Sequence, residues 1–208
     1  MTRILRIDAS SRTEGSHSRK HADRFLESWF RTHPDDELVV RDLIHFPVEH
    51  ISAATITGFY APPEQFTPEM KSATAISDQL ITELRGADML LISVPMYNFS
   101  LPSALKAWID QIVRIGHTFS FSPDSGFSGL LTGKRAIIVA TYGASFSSEA
   151  MRPMDFLTPY LKALLGFLGF QSVEVITLEG TSIDPAAFEH SQTVAQAQIA
   201  RLTATAGA

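Results

Sequence analysis

Residues 89–94 read Met-Leu-Leu-Ile-Ser-Val, a run with one small polar residue and no charge. Successive residues of a strand point to opposite faces, so a strand of this composition must be covered on both sides. A second run, Ala136-Ile137-Ile138-Val139-Ala140, carries the same demand. Two such strands require a parallel sheet sandwiched between helices, since an antiparallel sheet with one wet face alternates instead.

The rest of the chain supplies the other pieces. Residues 3–8 read as a first strand that stops at Ala9-Ser10-Ser11. Ala22, Phe25, Leu26, Trp29 and Phe30 recur at helical spacing, behind Ser16 and Ser18, and His33-Pro34-Asp35-Asp36 ends that helix. Leu38-Val39-Val40 is a short second strand. Thr67-Pro68-Glu69 opens a helix that runs to Arg85-Gly86, with Pro at the tolerated first turn. Leu101, Leu105, Trp108, Ile109 and Ile112 share one helical face. Residues 154–168 are apolar nearly all round, with Pro159 marking a kink or a break. Residues 173–178 form a fifth strand and residues 184–204 a final helix. The alternation β-α-β-α-β-α-β-α-β-α predicts an α/β protein with a flavodoxin-like, doubly wound parallel sheet of order 2-1-3-4-5. The whole chain, 1–208, is expected to form one domain. Residues 44–68 show no clear period and residues 116–134 are rich in Phe, Ser and Gly; both are expected to be long irregular connections that wall a site.

Composition narrows the chemistry. The chain has no Cys, which excludes disulfides, thiolate metal sites and Cys nucleophiles. Its net charge of -5 argues against nucleic acid or an anionic membrane as a partner. The N-terminal apolar run is too short and too interrupted by charge for a signal peptide, and no run approaches a membrane span. A soluble cytoplasmic protein is the expectation.

In open parallel sheets ligands bind beyond the carboxyl ends of the strands, where the strand order reverses. Three loops meet that edge. Ser10-Ser11-Arg12-Thr13-Glu14-Gly15-Ser16-His17-Ser18 leads into a helix N-terminus, where unpaired N–H groups and the helix dipole favour an anion such as a phosphate monoester. The same residues also suit an ordinary polar loop with a capping Ser, and Arg12 a solvated position. Pro95-Met96-Tyr97-Asn98-Phe99-Ser100 gathers a thioether, two aromatics and an amide. These suit a flat heteroaromatic ring, but composition alone favours a loop whose Tyr and Phe close the core. Thr141-Tyr142-Gly143-Ala144 offers a Gly for close backbone approach, and Tyr142 to cover a ring or simply to pack.

Other motifs are absent. There is no G-x-G-x-x-G, no Walker-type loop, no G-x-S-x-G elbow and no His pair at metal-ligand spacing. Asp8, at the end of the first strand, lacks the acidic neighbours of a magnesium-dependent phosphoacceptor. His117 suits a packed or solvated imidazole. A phosphate cradle beside a ring slot, with no acid–base set, points to an enzyme whose cofactor carries the chemistry.

With these residues in order, the chain resembles the FMN-dependent NADH:quinone oxidoreductases that also act as azoreductases. The matching features are Ser10 with Ser16-His17-Ser18; Pro95-Met96-Tyr97-Asn98-Phe99 followed by Leu105-Lys106; Gly116-His117-Thr118-Phe119; Gly129-Leu130-Leu131-Thr132-Gly133-Lys134; and Tyr160-Leu161 through Leu165-Gly166-Phe167-Leu168-Gly169. The resemblance implies that Ser10, Ser16, His17 and Ser18 hold the FMN phosphate. It implies that Pro95, Met96, Tyr97, Asn98 and Phe99 line the isoalloxazine, and that Thr141, Tyr142, Gly143 and Ala144 complete the ring site. It further implies a homodimer with active sites at the interface. Turnover would be ping-pong, with NADH or NADPH as donor and a quinone or azo compound as acceptor. One departure stands out: the family's Ser-x-Gly-Gly is Thr141-Tyr142-Gly143-Ala144 here, and a positive φ at Ala144 would be strained. Two other readings differ in what they do with the flavin. An NAD(P)H:FMN reductase would release it reduced, and a redox-sensing module would bind it without turnover. A flavodoxin-type carrier would expose the flavin edge, which the two long connections argue against.

Overall fold

The computed structural model describes residues 1–204, so the last four residues of the expected domain lie outside the described residues. In chain order the elements are β1 (Arg3–Asp8), α1 (His17–Thr32), β2 (Glu37–Asp42), α2 (Ala53–Tyr60), α3 (Pro68–Arg85), β3 (Met89–Pro95), α4 (Ser103–Ile112), β4 (Phe119–Ser122), β5 (Gly126–Gly129), β6 (Arg135–Thr141), α5 (Thr158–Phe167), β7 (Ser172–Leu178) and α6 (Pro185–Thr203). The main sheet is parallel throughout, in the order β2-β1-β3-β6-β7. Numbered along the main sheet alone, this is the order 2-1-3-4-5. The fold is flavodoxin-like.

The apolar runs sit where their composition demands. Met89 to Val94 and Ala136 to Ala140 are buried on both faces. Ile4, Met89, Leu91, Ile137, Val139 and Ile176 pack with Phe25, Trp29 and Ile199 from α1 and α6. Leu5, Ile7, Leu90, Ile92 and Ile138 face the other way, onto α3, α4 and α5 through Leu80, Leu84, Trp108 and Leu161. Alternation in β1 therefore sends Arg6 and Asp8 to the α1 side, where both are buried.

Three expectations are corrected. The connection 116–134 is not irregular, because β4 and β5 pair as an antiparallel hairpin. That hairpin is seated by Gly129: a Cβ there would overlap the backbone of Leu168 and Gly169 at the end of α5. The segment 44–68 holds α2 and a single 3-10 turn at Pro63–Gln65. The helix is hidden in the sequence because Gly58 and the β-branched Thr55, Ile56 and Thr57 are poor helix formers. A reciprocal capping box between Ser52 and Thr55 starts it, and packing against α3 holds it. In 154–168, Pro159 lies in the first turn of α5, so it marks the start of a shorter helix and not a kink. Of that helix only Leu161 and Leu165 are buried, which leaves Phe167 exposed.

Candidate functional site

Register brings the loops together. Asp8 pairs with Ser93 across β1 and β3, Pro95 with Thr141 across β3 and β6, and Thr141 with Leu178 across β6 and β7. The chain therefore leaves these strands side by side at one edge. There a cavity of about 230 Å³ is lined by Ser10, Arg12, Gly15, Ser16 and His17 from the first loop, by Pro95, Met96 and Tyr97 from the second, and by Thr141 and Gly143 from the third. Thr181 and Ser182, just beyond β7, complete it.

The first loop ends at the N-terminus of α1, where the helix dipole favours negative charge. Ser16 is the N-cap of α1, and its hydroxyl accepts from the Arg19 N–H at 3.4 Å. Ser18 lies inside the first turn, fully buried, with its hydroxyl 3.2 Å from that of Ser16. The remaining first-turn N–H groups have no partner within the helix. Gly15 adopts φ +65, and a side chain there would meet nothing within 4 Å, so the backbone faces open space. His17 is half-buried against the edge of Phe188. Burial, then the charges of Lys20 and Arg12, lower its pKa below the ordinary histidine value.

Beneath this loop lies a charge network centred on the buried Arg6 and Asp8. Arg19 pairs with Asp42 at 2.5 and 3.0 Å, reaches Asp8 at 3.4 Å and donates to the Ser10 carbonyl at 2.9 Å. Arg6 bridges Asp8 at 2.9 Å and Asp23 at 2.5 Å, and the Ser93 hydroxyl donates to Asp8 at 2.5 Å. Burial pushes the Asp42 carboxyl up. The hydrogen bonds from Arg19, His45 and the Ile44 and His45 N–H groups outweigh it and hold Asp42 well below the usual carboxylate range.

The second loop is strained. Tyr97 and Ser100 exchange backbone hydrogen bonds of 2.9 and 3.0 Å around a two-residue turn. Asn98 and Phe99 take φ 49 and 70, the positive values of a primed turn that glycine would adopt freely. Several contacts hold it. The Tyr97 hydroxyl accepts from the Ser11 N–H at 3.3 Å, the Met96 N–H donates to Thr141 O at 2.8 Å, and the Phe156 N–H donates to Phe99 O at 3.0 Å. Phe99 itself is 43% exposed, so core packing does not require it there.

A family model described as a flavodoxin-like fold matches residues 2–202. The FMN-dependent NADH:quinone oxidoreductase of Xanthobacter autotrophicus is 48% identical over 177 residues, 84% of this chain and 85% of that protein. The enzyme of the same name from Nostoc punctiforme is 41% identical over 201 residues, 96% of each chain. Among solved structures, an azoreductase from Bacillus anthracis superposes with a TM-score of 0.90 at 27% identity, covering 98% of this chain and 99% of that one. The chain belongs to the flavodoxin-like family of FMN-dependent NADH:quinone oxidoreductases.

The third loop turns its aromatic side chain into the core. Tyr142 is 2% exposed and turned away from the cavity. Its hydroxyl donates to Asp155 at 3.2 Å and also pairs with Thr158. Burial, with the Asp155 charge adding to it, raises the phenol's pKa above its ordinary value. The side chain packs in the core, and of this loop Thr141 and Gly143 line the cavity. Ala144 packs against the core and is not among the positive-φ residues, so the added methyl brings no strain. Asn98, Phe99, Tyr142 and Ala144 are thus not part of the cavity wall, while the other expected residues line it or, as Ser18 does, back it. Thr181 and Ser182 were not expected. Their signal was their place after the fifth strand, on the same edge; their N–H groups bond Tyr142 O and Gly143 O at 3.0 and 3.1 Å.

Two outcomes follow. The folded-state pKa of Asp42 lies below its unfolded value, so its contribution to stability is present above about pH 4 and is lost as pH falls below it. Asp42→Asn is expected to cost about 3 kcal/mol at pH 7 by breaking the pair with Arg19, with the difference from wild type shrinking in urea melts below pH 4. A pH-independent difference would remove the ion pair as its source. Phe99→Gly relieves positive-φ strain of ~1 kcal/mol and loses only partial burial, so denaturation is expected to shift by less than ~1 kcal/mol. A loss of 3–5 kcal/mol, as for a core Phe, would contradict that account.

Proposed function

We propose that this chain is an FMN-dependent NAD(P)H:quinone oxidoreductase that also cleaves azo compounds reductively. The observation that carries the reading is that one cavity joins the α1 N-terminal loop to the Pro95–Tyr97 loop. The residues present fit FMN. An anion suits the first turn of α1, the open backbone at Gly15 admits a close approach, and Met96 and Tyr97 offer apolar surface to a flat ring. Ser10, Ser16 and His17 would hold the phosphate, with Ser18 fixing Ser16. Pro95, Met96, Tyr97, Thr141 and Gly143 would hold the ring, with the Asn98–Phe99 turn at its rim and Tyr142 and Ala144 supporting the third loop from behind.

Bound there, FMN supplies reversible two-electron transfer between a nicotinamide donor and a quinone or azo acceptor, which take turns at one site in a ping-pong order. The chain's own residues orient and shield. The first-turn N–H groups and the helix dipole neutralise the phosphate. His17, neutral at pH 7 when no anion is near, gains a reason to be protonated beside one. The turn at Asn98 and Phe99 presents an amide and an aromatic edge without having to reorganise, because its strain is already stored in the fold.

The reading includes a homodimer with its sites at the interface and a cytoplasmic location. Exposed Phe99, Phe121, Phe127, Phe156 and Phe167 support the dimer, as apolar surface that calls for cover. Among the described residues no helix is long and apolar enough to cross a membrane.

Purified protein is expected to show a flavin absorbance that bleaches anaerobically with NADH or NADPH and returns on adding benzoquinone. The flavin should stay with a dimer-sized species on gel filtration. Loss of reduced flavin from the protein at each turnover would favour the FMN reductase instead. Bound FMN with no quinone-dependent NAD(P)H oxidation would leave only a binding module, and protein that takes up no FMN would sink the reading.

A further inference from the structure

Glu179 lies just past the end of β7, outside the cavity wall, and it makes an unusual set of contacts. One carboxylate oxygen accepts from the N–H groups of Phe146 at 3.0 Å and Ser147 at 2.7 Å, and the other accepts from the Ser147 hydroxyl at 2.6 Å. All three donors belong to the segment that follows the loop 141–144, more than thirty residues earlier in the chain. The base of the clamp is rigid. The Glu179 N–H donates to the Ser191 hydroxyl of α6 at 3.2 Å, and the Gly180 N–H donates to Ala144 O at 3.3 Å.

What the clamp fixes is Phe146. That ring is 8% exposed, 5.3 Å from the ring of Tyr142 and edge-on to Phe99 at 6.2 Å. Phe99 is the residue held at φ 70 on the turn beside the cavity. A path of direct contacts thus runs from Glu179 through Phe146 to Phe99. Charge-assisted hydrogen bonds to backbone N–H groups are among the strong ones, so a carboxylate with three donors is suited to hold a loop against strain.

Resting on the proposed flavin site, we infer that Glu179 is a positioning residue for its ring end. It acts through Phe146 on the Asn98–Phe99 turn and has no part in the phosphate end. FMN and riboflavin share the ring, and only FMN carries the phosphate, so the two ends can be read separately. The test is titration of flavin-free protein with each, well below its melting temperature. Glu179→Ala is expected to weaken both flavins by about tenfold and leave their ratio unchanged. Glu179→Gln keeps an acceptor for the two N–H groups and should restore most of the loss. Phe146→Leu removes the aromatic contact with Phe99 and should weaken both flavins in the same sense; it also keeps the inference testable if Glu179→Ala does not fold. A lowered melting temperature with both affinities unchanged would make the clamp merely structural and overturn the inference, as would a change in the FMN-to-riboflavin ratio alone. If wild-type protein binds neither flavin, the proposed function fails and takes the inference with it. Wild-type binding with unchanged variants overturns the inference alone.

Discussion

The in-register parallel pairing of β3 with β1 on one side and β6 on the other is the constraint from which the rest follows. Because Asp8 lies beside Ser93 and Pro95 beside Thr141, the loops that leave these strands have no choice but to emerge together. A one-residue slip would turn every side chain of a buried strand to the opposite face and exchange its contacts with two helix layers. Burial on both faces thus fixes the register, and register fixes the geometry of the cavity.

Two polar arrangements then shape what the strand ends present. Under the first loop, Arg19 ties Asp42 and Asp8 to the Ser10 carbonyl, so the loop is anchored at its start by charge and at its end by the cap of α1. Around the second loop the anchoring opposes strain. Asn98 and Phe99 hold positive φ values because Tyr97 and Ser100 bond each other across the turn and the Phe156 N–H holds the Phe99 carbonyl. Strain of this kind persists only where the surroundings over-determine it, and it gathers at functional sites. The tightly bonded base and the strained rim give the site one preferred shape.

The main sheet was legible in the sequence because a strand buried on both faces leaves an uninterrupted apolar run. For the same reason the direction of Tyr142 was not legible: in β6 both faces are apolar, so alternation carries no signal for which side the next residue takes. The positive φ of Phe99 was hidden because no local preference of Phe produces it; distant partners do. What seats the hairpin β4–β5 was not legible, because it is the close approach of the Gly129 backbone to Gly169, far along the chain. Thr181 and Ser182 could be placed at the strand-end edge by their position alone, but not in the cavity wall, because short polar residues after a strand look alike whether they line a cavity or meet water. Ser16, by contrast, could be read at once, since a cap is defined by its immediate neighbours.

We propose that one flavin mononucleotide spans the α1 N-terminal loop and the loop after β3. A crystal structure of the protein with FMN tests it most directly. The phosphate oxygens are expected within hydrogen-bonding range of the first-turn N–H groups of α1, and the ring against Pro95, Met96 and Tyr97. A flavin seated anywhere else, or one lying in the cavity with its phosphate directed away from Ser16 and His17, would contradict it.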